Sequence, residues 1–453
     1  MEYSLKLLRN IYFKLIENIP GIPRNRRCWD RSTERLLDMS VVLNPEHRHQ
    51  LLQEIDSQSY QAQKHLYCSL FCAFLVCSIF FGLFTGTPLN DSTNVSRIDL
   101  AGCTRNSLPE NISTCVPFYE LMRHHVAINT GNQFFKRNRL SVVAAYAYPN
   151  YSVVTIEADG WYGEKVYCRY FDRHMKELTE PVASIVFPEF AVHCCRHLRA
   201  EYMTVSEEKE QAITVAARII DRISAKPQYT LSLCLAALYG NQSKWLLLAE
   251  LVEHYKLQGV EHFYFYIKDI DQYSQKLVND YVENGEAEVV YFRQEEDRLP
   301  EDWQHVSVQD CLQRSRHHSR YSIFGDLDER IIPLGKIRLV DYVLKKMGEK
   351  NNIGMIKFTP RFVLRTRKPP DNYEGTKTLS KNLPTLVFRN TSATPLGYYT
   401  KCILDPTRVL LQWVHNVKVY FPGYVGLEAP RNEVIIRLAS LPFLCMTSMI
   451  TCI

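Results

Sequence analysis

The fold of this chain is decided by residues 245–267, which read WLLLAELVEHYKLQGVEHFYFYI. Residues 245–257 predict a helix, and Gly259 stands where helices commonly end in a left-handed glycine. Residues 260–267 form a short run rich in aromatic side chains, which predicts a strand. A helix followed directly by a strand is the repeating unit of an α/β fold.

This alternation continues in both directions along the chain. Residues 230–238 predict a strand before the helix, and residues 272–283 predict a second helix. Two further strands are predicted at 287–292 and 321–324, with a helix at 303–316 between them. Strands that alternate with helices imply right-handed crossovers and a parallel sheet, whose ligands bind beyond the carboxyl ends of the strands.

An acidic motif, Phe324-Gly-Asp326-Leu-Asp328-Glu329, follows the last of these strands. Residues two apart on a strand share a face, so Asp326 and Asp328 are expected side by side, with Glu329 on the opposite face in a structural role. Paired carboxylates hold a hard divalent cation, whose shell is completed by water and substrate phosphates. The alternative is a solvated turn after the strand.

A membrane span is predicted near the N-terminus. Residues 66–84 carry no charge over a length sufficient to cross a bilayer as a helix. Ten Lys and Arg residues precede this stretch, whereas the segment just after it has only Arg97 and Arg105. The positive-inside tendency therefore predicts a single-pass type II protein with a cytoplasmic N-terminus.

Glycosylation and cysteine positions agree with this topology. Ten of the fourteen cysteines follow the predicted span, where disulfides persist. Cys103 and Cys115 are expected to close a short loop, and the adjacent Cys194 and Cys195 to pair elsewhere. A metal cluster is disfavoured, because no Cys-x-x-Cys motif or spaced His pair occurs. All six Asn-x-Ser/Thr sequons also follow the span, at Asn90, Asn94, Asn111, Asn150, Asn241 and Asn390.

The other segments differ in composition. Short β-like runs between 140 and 200 predict a small antiparallel sheet or sandwich, and residues 206–223 predict a charged helix. The expected organisation is a cytoplasmic tail at 1–65, a transmembrane helix at 66–84, a stem at 85–139, a β-rich domain at 140–228, an α/β domain at 229–437 and an atypical apolar tail at 438–453.

Three strings, in this order and spacing, resemble glycosyltransferase family 92, which includes β-1,4-galactosyltransferases. They are residues 245–266, Asp310-Cys-Leu-Gln-Arg314 and the acidic motif at 324–329. The resemblance covers about residues 230–437. It implies an α/β nucleotide-sugar transferase domain of the GT-A type, with an Asp-x-Asp metal site, usually Mn²⁺, and a UDP-sugar as donor.

Taken residue by residue, the resemblance implies that Asp326 and Asp328 are metal ligands. His415 is similar to a late histidine of the family and is a candidate for a further ligand. Asp310 also matches the family, and it is expected either to orient the nucleotide or to satisfy a buried backbone group.

Other candidates have a structural alternative. Tyr264 and Tyr266 share one strand face and are candidates for stacking on the uracil ring, although aromatic strand residues usually belong to a core. Glu250 and His254 share a helix face and match the family, but a polar contact that holds the helix against the sheet is favoured. Residues 316–320 are expected to form a solvated basic face.

These features predict a metal-dependent, inverting hexosyltransferase of the Golgi or ER membrane that moves galactose from UDP-galactose onto a glycan. A net charge of +5 over 453 residues is too small to indicate nucleic acid binding. Two alternatives remain, a glycan-binding membrane glycoprotein of the same fold without turnover and a metal-dependent hydrolase that uses the same acidic pair. Nothing ranks the acidic residues after position 330 as the general base.

The C-terminus departs from the family's pattern. The resemblance ends at Arg437, after which the family is expected to continue with His-Tyr-Arg, whereas this chain continues with LASLPFLCMTSMITCI. If the missing histidine or arginine contacts the metal or the diphosphate, this form is expected to be less active, which favours the binding-only alternative.

Overall fold

The computed structural model describes residues 112–128, 137–295, 298–299, 302–364, 368–387, 392–393 and 399–440. All of them belong to one compact unit. The predicted cytoplasmic tail and membrane span lie outside the described residues, as does the predicted apolar tail beyond residue 440. Within the described ranges, no helix has both the length and the apolarity that a membrane crossing requires.

The described residues form an α/β structure. Its helices are α1 Tyr119–Ile128, α2 Trp245–Leu257, α3 Gln272–Glu283, α4 Asp302–Ser315, α5 Leu339–Gly348, α6 Thr376–Asn382 and α7 Pro384–Val387. Its strands are β1 Val142–Ala147, β2 Tyr151–Ile156, β3 Lys165–Phe171, β4 Val182–Ile185, β5 Ala191–Cys195, β6 Tyr202–Ser206, β7 Ala217–Asp221, β8 Tyr229–Leu235, β9 His262–Ile267, β10 Ala287–Tyr291, β11 Ser319–Gly325, β12 Glu329–Pro333, β13 Ile353–Phe358, β14 Pro360–Leu364, β15 Ser392–Ala393, β16 Lys401–Leu404, β17 Val409–Gln412, β18 Val417–Tyr420, β19 Val425–Glu428 and β20 Val434–Ser440.

The first seven strands form a mixed sheet in the order β4-β3-β6-β7-β1-β2-β5. The predicted antiparallel pairing holds for most neighbours, but β1 pairs with β7 in parallel. The helix predicted at 206–223 is wrong, because this segment contains strand β7. Strand β7 lies between β6 and β1, so its backbone hydrogen bonds are made in the sheet instead of in a helix.

The second sheet has the order β10-β9-β8-β11-β16-β13-β19, and its first four strands are parallel, as predicted. Helices α2 and α3 begin and end at the predicted residues. Gly259 has a φ of +91°, and a Cβ there would lie 2.4 Å from Cγ1 of Val340. Only glycine fits this turn between α2 and β9, because it tolerates both the left-handed backbone and the close contact.

Two smaller sheets complete the α/β part. One has the order β12-β20-β14-β15, and the other is the hairpin of β17 and β18. Strand β20 continues to Ser440 and pairs there with β14. The first three residues of the predicted apolar tail therefore belong to a strand.

Helix α4 packs between the two large sheets and joins their cores. Val154 and Tyr170 from the first sheet share an apolar cluster with Trp303 and Cys311 of α4 and Phe324 of β11. The β-rich part and the α/β part are therefore not separated by a layer of solvent.

Asp310 of α4 lies in the middle of this shared core and is fully buried. Its Oδ1 accepts hydrogen bonds from the hydroxyls of Tyr146, at 2.7 Å, and Thr155, at 2.5 Å, both in the first sheet. Its Oδ2 accepts from the Tyr266 hydroxyl at 2.7 Å and from Nε of Arg314 at 3.0 Å. One carboxylate thus connects α4 with both sheets.

Three disulfides occur among the described residues. They join Cys115 to Cys195, Cys168 to Cys194 and Cys234 to Cys311. The predicted pairing of Cys103 with Cys115 is wrong, because the fold brings Cys115 next to the end of β5. The prediction that Cys194 and Cys195 pair elsewhere is confirmed.

We expect Asp310→Asn to lower the free energy of unfolding by about 3–5 kcal/mol, because it removes the charge that compensates buried Arg314. Asp341→Asn is the matched control. Asp341 also forms an ion pair with an arginine close in sequence, Arg338, but both of these side chains are nearly half exposed. The control is expected to change the stability by less than about 1 kcal/mol. Urea unfolding of the purified chain measures both, and equal losses would contradict the assigned role of Asp310.

Candidate active site

The order of the strands reverses next to β8. Strands β9 and β10 follow on one side of β8, and β11 lies on its other side. In open α/β sheets, ligands bind beyond the carboxyl ends of the strands at such a reversal. A cleft opens there, which we name the donor cleft after the nucleotide-sugar donor that the sequence resemblance predicts. It is lined by Cys234, Leu235, Ala236, Gln304, Ser307, Val308, Phe324, Gly325, Asp326, Lys401 and Val414.

The acidic motif forms a turn at the edge of this cleft. Strand β11 ends at Gly325, and the Glu329 N–H donates to the Asp326 carbonyl at 3.1 Å. The Asp326 N–H in turn donates to Oε2 of Glu329 at 2.9 Å. The expectation that Asp326 and Asp328 share a strand face is therefore wrong, because the alternation of a strand stops at the turn. Asp326 lines the donor cleft, and Asp328 lines a second cleft.

Lys401 is the counter-ion of this turn. Its ammonium lies 2.7 Å from Oδ2 of Asp326 and 3.5 Å from Oε2 of Glu329. The side chains of Lys401 and Glu329 are 2% and 3% exposed, whereas Asp326 is 31% exposed. Burial opposes the charge of Lys401, but the two carboxylates outweigh it and raise the pKa of Lys401, so the ammonium stays charged.

Glu329 is therefore part of the site, although the sequence assigned it a purely structural role. Burial raises the pKa of Glu329 to about 8; Lys401 acts in the opposite direction, while Asp326 and Asp328 raise it further. The sequence offered one signal for Lys401 itself, a lysine at the head of the apolar run Cys402-Ile403-Leu404.

Asp326 is held in place from two sides. Gln304 of α4 donates its side-chain amide to Oδ1 at 2.8 Å, while Lys401 contacts Oδ2. Neither partner was predicted, since both approach Asp326 only through the fold. The carboxylate is thus oriented before any ligand arrives, with about a third of its side chain open to the cleft.

His415 has the chemistry of a metal ligand. Burial and the charge of Lys401 lower the pKa of His415 to about 4, so its ring is neutral near pH 7. Its Nδ1 lies 3.1 Å from the Thr400 carbonyl, which can only accept, so Nδ1 is the donor and Nε2 keeps its lone pair. The charge of Asp326 acts in the opposite direction on this pKa.

These residues fit a divalent cation that takes most of its ligands from elsewhere. Asp326 offers the hard oxygen and His415 the neutral nitrogen that Mn²⁺ accepts. Among the described residues, however, the ligand atoms of Asp326, Asp328 and His415 do not converge into a group of three within 4.8 Å. A cation bound at Asp326 would therefore depend on donor phosphates and water for the rest of its shell.

The second cleft lies on the other side of the turn. Arg330 forms its wall: this buried guanidinium donates to the carbonyls of Leu327 and Glu329 and, at 3.2 Å, to Oε2 of Glu250. The turn is thereby fixed to helix α2. The full lining is Leu247, Glu250, Asp328, Arg330, Val363, Pro384, Thr385 and Arg437.

Glu250 and His254 hold helix α2 in place, which confirms the favoured interpretation. Oε1 of Glu250 accepts from the backbone N–H and the hydroxyl of Thr385, at 2.9 and 2.6 Å. Burial lowers the pKa of His254 to about 3, so its neutral ring donates from Nε2 to the Ile331 carbonyl at 3.1 Å.

The predicted contacts of Asp310, Tyr264 and Tyr266 with the nucleotide-sugar donor are not compatible with the positions of these side chains. All three side chains are completely buried, and Asp310 is occupied by the network described above. The Tyr266 hydroxyl donates to Asp310, and the Tyr264 hydroxyl lies 2.7 Å from Nδ1 of His318. Neither ring has a face open to a uracil, so we assign all three to the core.

Of the predicted glycosylation sites, Asn150 and Asn241 lie in the described part, and both are exposed in loops. This position is compatible with glycosylation, which stays a prediction. Asn90, Asn94, Asn111 and Asn390 lie outside the described residues.

We expect the pH dependence of stability to reveal Glu329. Its folded pKa of about 8 exceeds the unfolded value of 4.5, so the folded state binds this proton more tightly. Its contribution is complete below the unfolded pKa and is lost as the pH rises through the folded pKa. Urea unfolding at pH 5 and at pH 8.5 should show a larger loss for the wild type than for Glu329→Gln. Other raised carboxyls act equally in both proteins, and identical losses would contradict the assignment.

Comparison with known proteins supports the interpretation of the segment that carries this site. Residues 229–440 match the model of glycosyltransferase family 92. The beta-1,4-galactosyltransferase galt-1 of Caenorhabditis elegans is 27% identical over 197 residues, which cover 42% of this chain and 42% of that protein. The chain thus spans less than half the length of this relative.

Similar solved structures are more distant. TarS 1-349 of S. aureus, in complex with UDP, is 14% identical with a TM-score of 0.23, covering 31% of this chain and 38% of that chain. Glucosyl-3-phosphoglycerate synthase of Mycobacterium tuberculosis, in complex with Mn²⁺, UDP and glucosyl-3-phosphoglycerate, is 11% identical with a TM-score of 0.27, covering 49% and 76%. Structural similarity at these TM-scores supports no conclusion about this chain. The family model and the curated relative confirm the resemblance that the three sequence strings predicted: residues 229–440 match glycosyltransferase family 92.

Proposed function

We propose that this protein is a glycosyltransferase of the GT-A type that moves a hexose, galactose from UDP-galactose, onto a glycan acceptor. The observation that carries the proposal is the donor cleft at the strand reversal, where partly exposed Asp326 lies beside buried Lys401. The match to the family model supports the reaction class. The similarity to a beta-1,4-galactosyltransferase of C. elegans supports galactose as the sugar.

The charges of the cleft suit a nucleotide diphosphate. A carboxylate alone would repel the phosphates, but Lys401 compensates Asp326 from within the protein. Asp326 would hold a divalent cation, with His415 as a candidate for a further ligand, and Mn²⁺ is our candidate for the ion. When bound, such a cation neutralises the charge of the departing diphosphate.

The protein's own contribution is a site oriented in advance. Gln304 and Lys401 fix the two oxygens of Asp326, so little reorganisation is needed when the donor binds. In an inverting transfer, the acceptor hydroxyl forms a bond to the anomeric carbon as the bond to the phosphate oxygen breaks. UDP leaves with the electron pair, and a base takes the hydroxyl proton.

We expect the purified full-length chain, supplied with UDP-galactose, Mn²⁺ and a glycan acceptor, to release UDP. Asp326→Asn should lower kcat/KM on the order of 100-fold, because it removes the carboxylate that the cation and Lys401 share. Removal of divalent ions with a chelator should have a similar effect. Asp341→Asn changes a nearly half-exposed side chain that lines neither cleft, so it is the control and should retain full activity.

The two alternatives give different results in the same assay. Glycan binding without any UDP release from a panel of UDP-hexoses would favour the non-catalytic glycoprotein. Release of free sugar from a glycan in the absence of a nucleotide donor would favour the hydrolase. Unchanged turnover of Asp326→Asn at saturating Mn²⁺ would contradict the role of Asp326.

We also propose that the described part lies in the lumen of the Golgi or ER, anchored by the predicted span at 66–84. Exposed sequons at Asn150 and Asn241 support this location. Three disulfides support it too, because disulfides persist in oxidising compartments.

We expect protease added to intact microsomes to remove only the segment before the predicted span. The protected fragment should then migrate faster after glycosidase treatment, and Asn150→Gln with Asn241→Gln should reduce that shift. Digestion of the main body in intact microsomes would contradict the lumenal location. An epitope at the N-terminus that survives the protease would contradict it as well.

A further inference from the structure

A second group of potential ligands lies at the amino ends of the parallel strands, at the sheet edge opposite the donor cleft. His262 is the first residue of β9, Glu288 is the second residue of β10, and His318 directly precedes β11. One ligand atom of each residue lies within 4.8 Å of the other two. No local sequence pattern indicates this cluster, because its members are far apart along the chain.

The spacing of these atoms matches a first-row metal site. Nε2 of His262 lies 3.2 Å from Oε1 of Glu288, and Nδ1 of His318 lies 3.8 Å from the same oxygen. Ligands at about 2.0–2.1 Å from a tetrahedral zinc ion are roughly 3.3 Å apart. Small side-chain movements would therefore bring the three atoms around one ion.

His318 presents the correct nitrogen to this group. Its Nε2 lies 3.2 Å from the side-chain oxygen of Gln228, which accepts the Nε2 proton and leaves the lone pair on Nδ1. Metal-binding histidines are commonly fixed by such an outer hydrogen bond. The Tyr264 hydroxyl, 2.7 Å from Nδ1, has another partner in Oγ of Ser319 at 3.0 Å, to which it can turn.

The other two residues are held by different contacts. Arg314 contacts Oε2 of Glu288 at 3.4 Å, which directs Oε1 toward the histidines. Tyr229 stacks on His262 with ring centroids 4.5 Å apart and an angle of 3° between the planes. The basic face expected at 316–320 is thus wrong for His318, whose side chain is only 12% exposed.

The donor atoms of this group, and not the surrounding charges, restrict which ion can bind. Arg222 lies 3.8 Å from Oε1 of Glu288, and Arg314 is close to Oε2, so positive charge already surrounds the carboxylate. Ca²⁺ and Mg²⁺ need several oxygen ligands, which this group does not offer. Two imidazoles and one carboxylate are instead a donor set for zinc and related transition metals.

We propose that His262, Glu288 and His318 bind a zinc-type divalent cation that ties the amino ends of β9 and β10 to the chain entering β11. The site is separate from the donor cleft and does not depend on the proposed transferase activity. Its role is to stabilise the sheet, with a fourth position left to water.

Metal titration of the full-length chain tests this directly. After removal of metals with EDTA, Zn²⁺ binding is followed by calorimetry and Co²⁺ binding by its visible absorption. We expect one bound ion and a higher melting temperature in the wild type. His318→Gln should weaken binding by about 100-fold or more, since even the loss of an outer partner costs 10–100-fold.

Two controls separate this site from its surroundings. His317→Asn changes the neighbouring histidine, whose φ of +62° asparagine tolerates, and should leave the affinity unchanged. Asp326→Asn alters the donor cleft and should also leave Zn²⁺ binding unchanged. If His318→Gln fails to fold, Glu288→Gln, which keeps the side-chain shape, gives the same measurement. Zn²⁺ binding that is absent from the wild type, kept by both ligand variants or lost in Asp326→Asn would overturn the proposal.

Discussion

The arrangement of the site depends on the buried carboxylate of Asp310. It receives hydrogen bonds from one sheet through Tyr146 and Thr155, from the other sheet through Tyr266, and from Arg314 within its own helix. A charge in this position is tolerated only because all of these partners are present. The network fixes helix α4 between the sheets, and the same helix carries Gln304, Ser307 and Val308, which line one side of the donor cleft.

The charges at the two edges of the parallel sheet are organised differently. At the carboxyl edge, one buried cation, Lys401, lies between two carboxylates, and Asp326 is the more exposed of these. At the amino edge, one carboxylate, Glu288, lies among two histidines and two arginines. Burial and the charge of Arg222 lower the pKa of His318 to about 4. Burial raises the pKa of Glu288, but the hydrogen bond from His262 and the charges of the two arginines outweigh it and lower this pKa to about 2. Near neutral pH, Lys401 and Glu288 are therefore charged, whereas His318 is neutral and Glu329 is largely protonated.

Local sequence patterns predicted the alternation of helices and strands but not the contacts between distant segments. Helices α2 and α3 were predicted to the residue, because apolar runs and the glycines after them are local signals. Asp326 was placed correctly at a strand end, yet its relation to Asp328 was wrong because a turn replaces the strand. The burial of Tyr264, the approach of Lys401 and the convergence on Glu288 each require strands that are remote in sequence, which no local pattern encodes.

The turn between the two clefts makes them mechanically dependent on each other. Arg330 holds the carbonyls of Leu327 and Glu329 and also Glu250, so the turn and helix α2 form one rigid wall. Glu329 closes the turn by accepting the Asp326 N–H, while Lys401 bridges both carboxylates. A ligand that displaces Asp326 therefore acts on the same hydrogen bonds that position Asp328 in the second cleft. The acidic motif is better understood as a rigid divider between two clefts than as a pair of adjacent ligands.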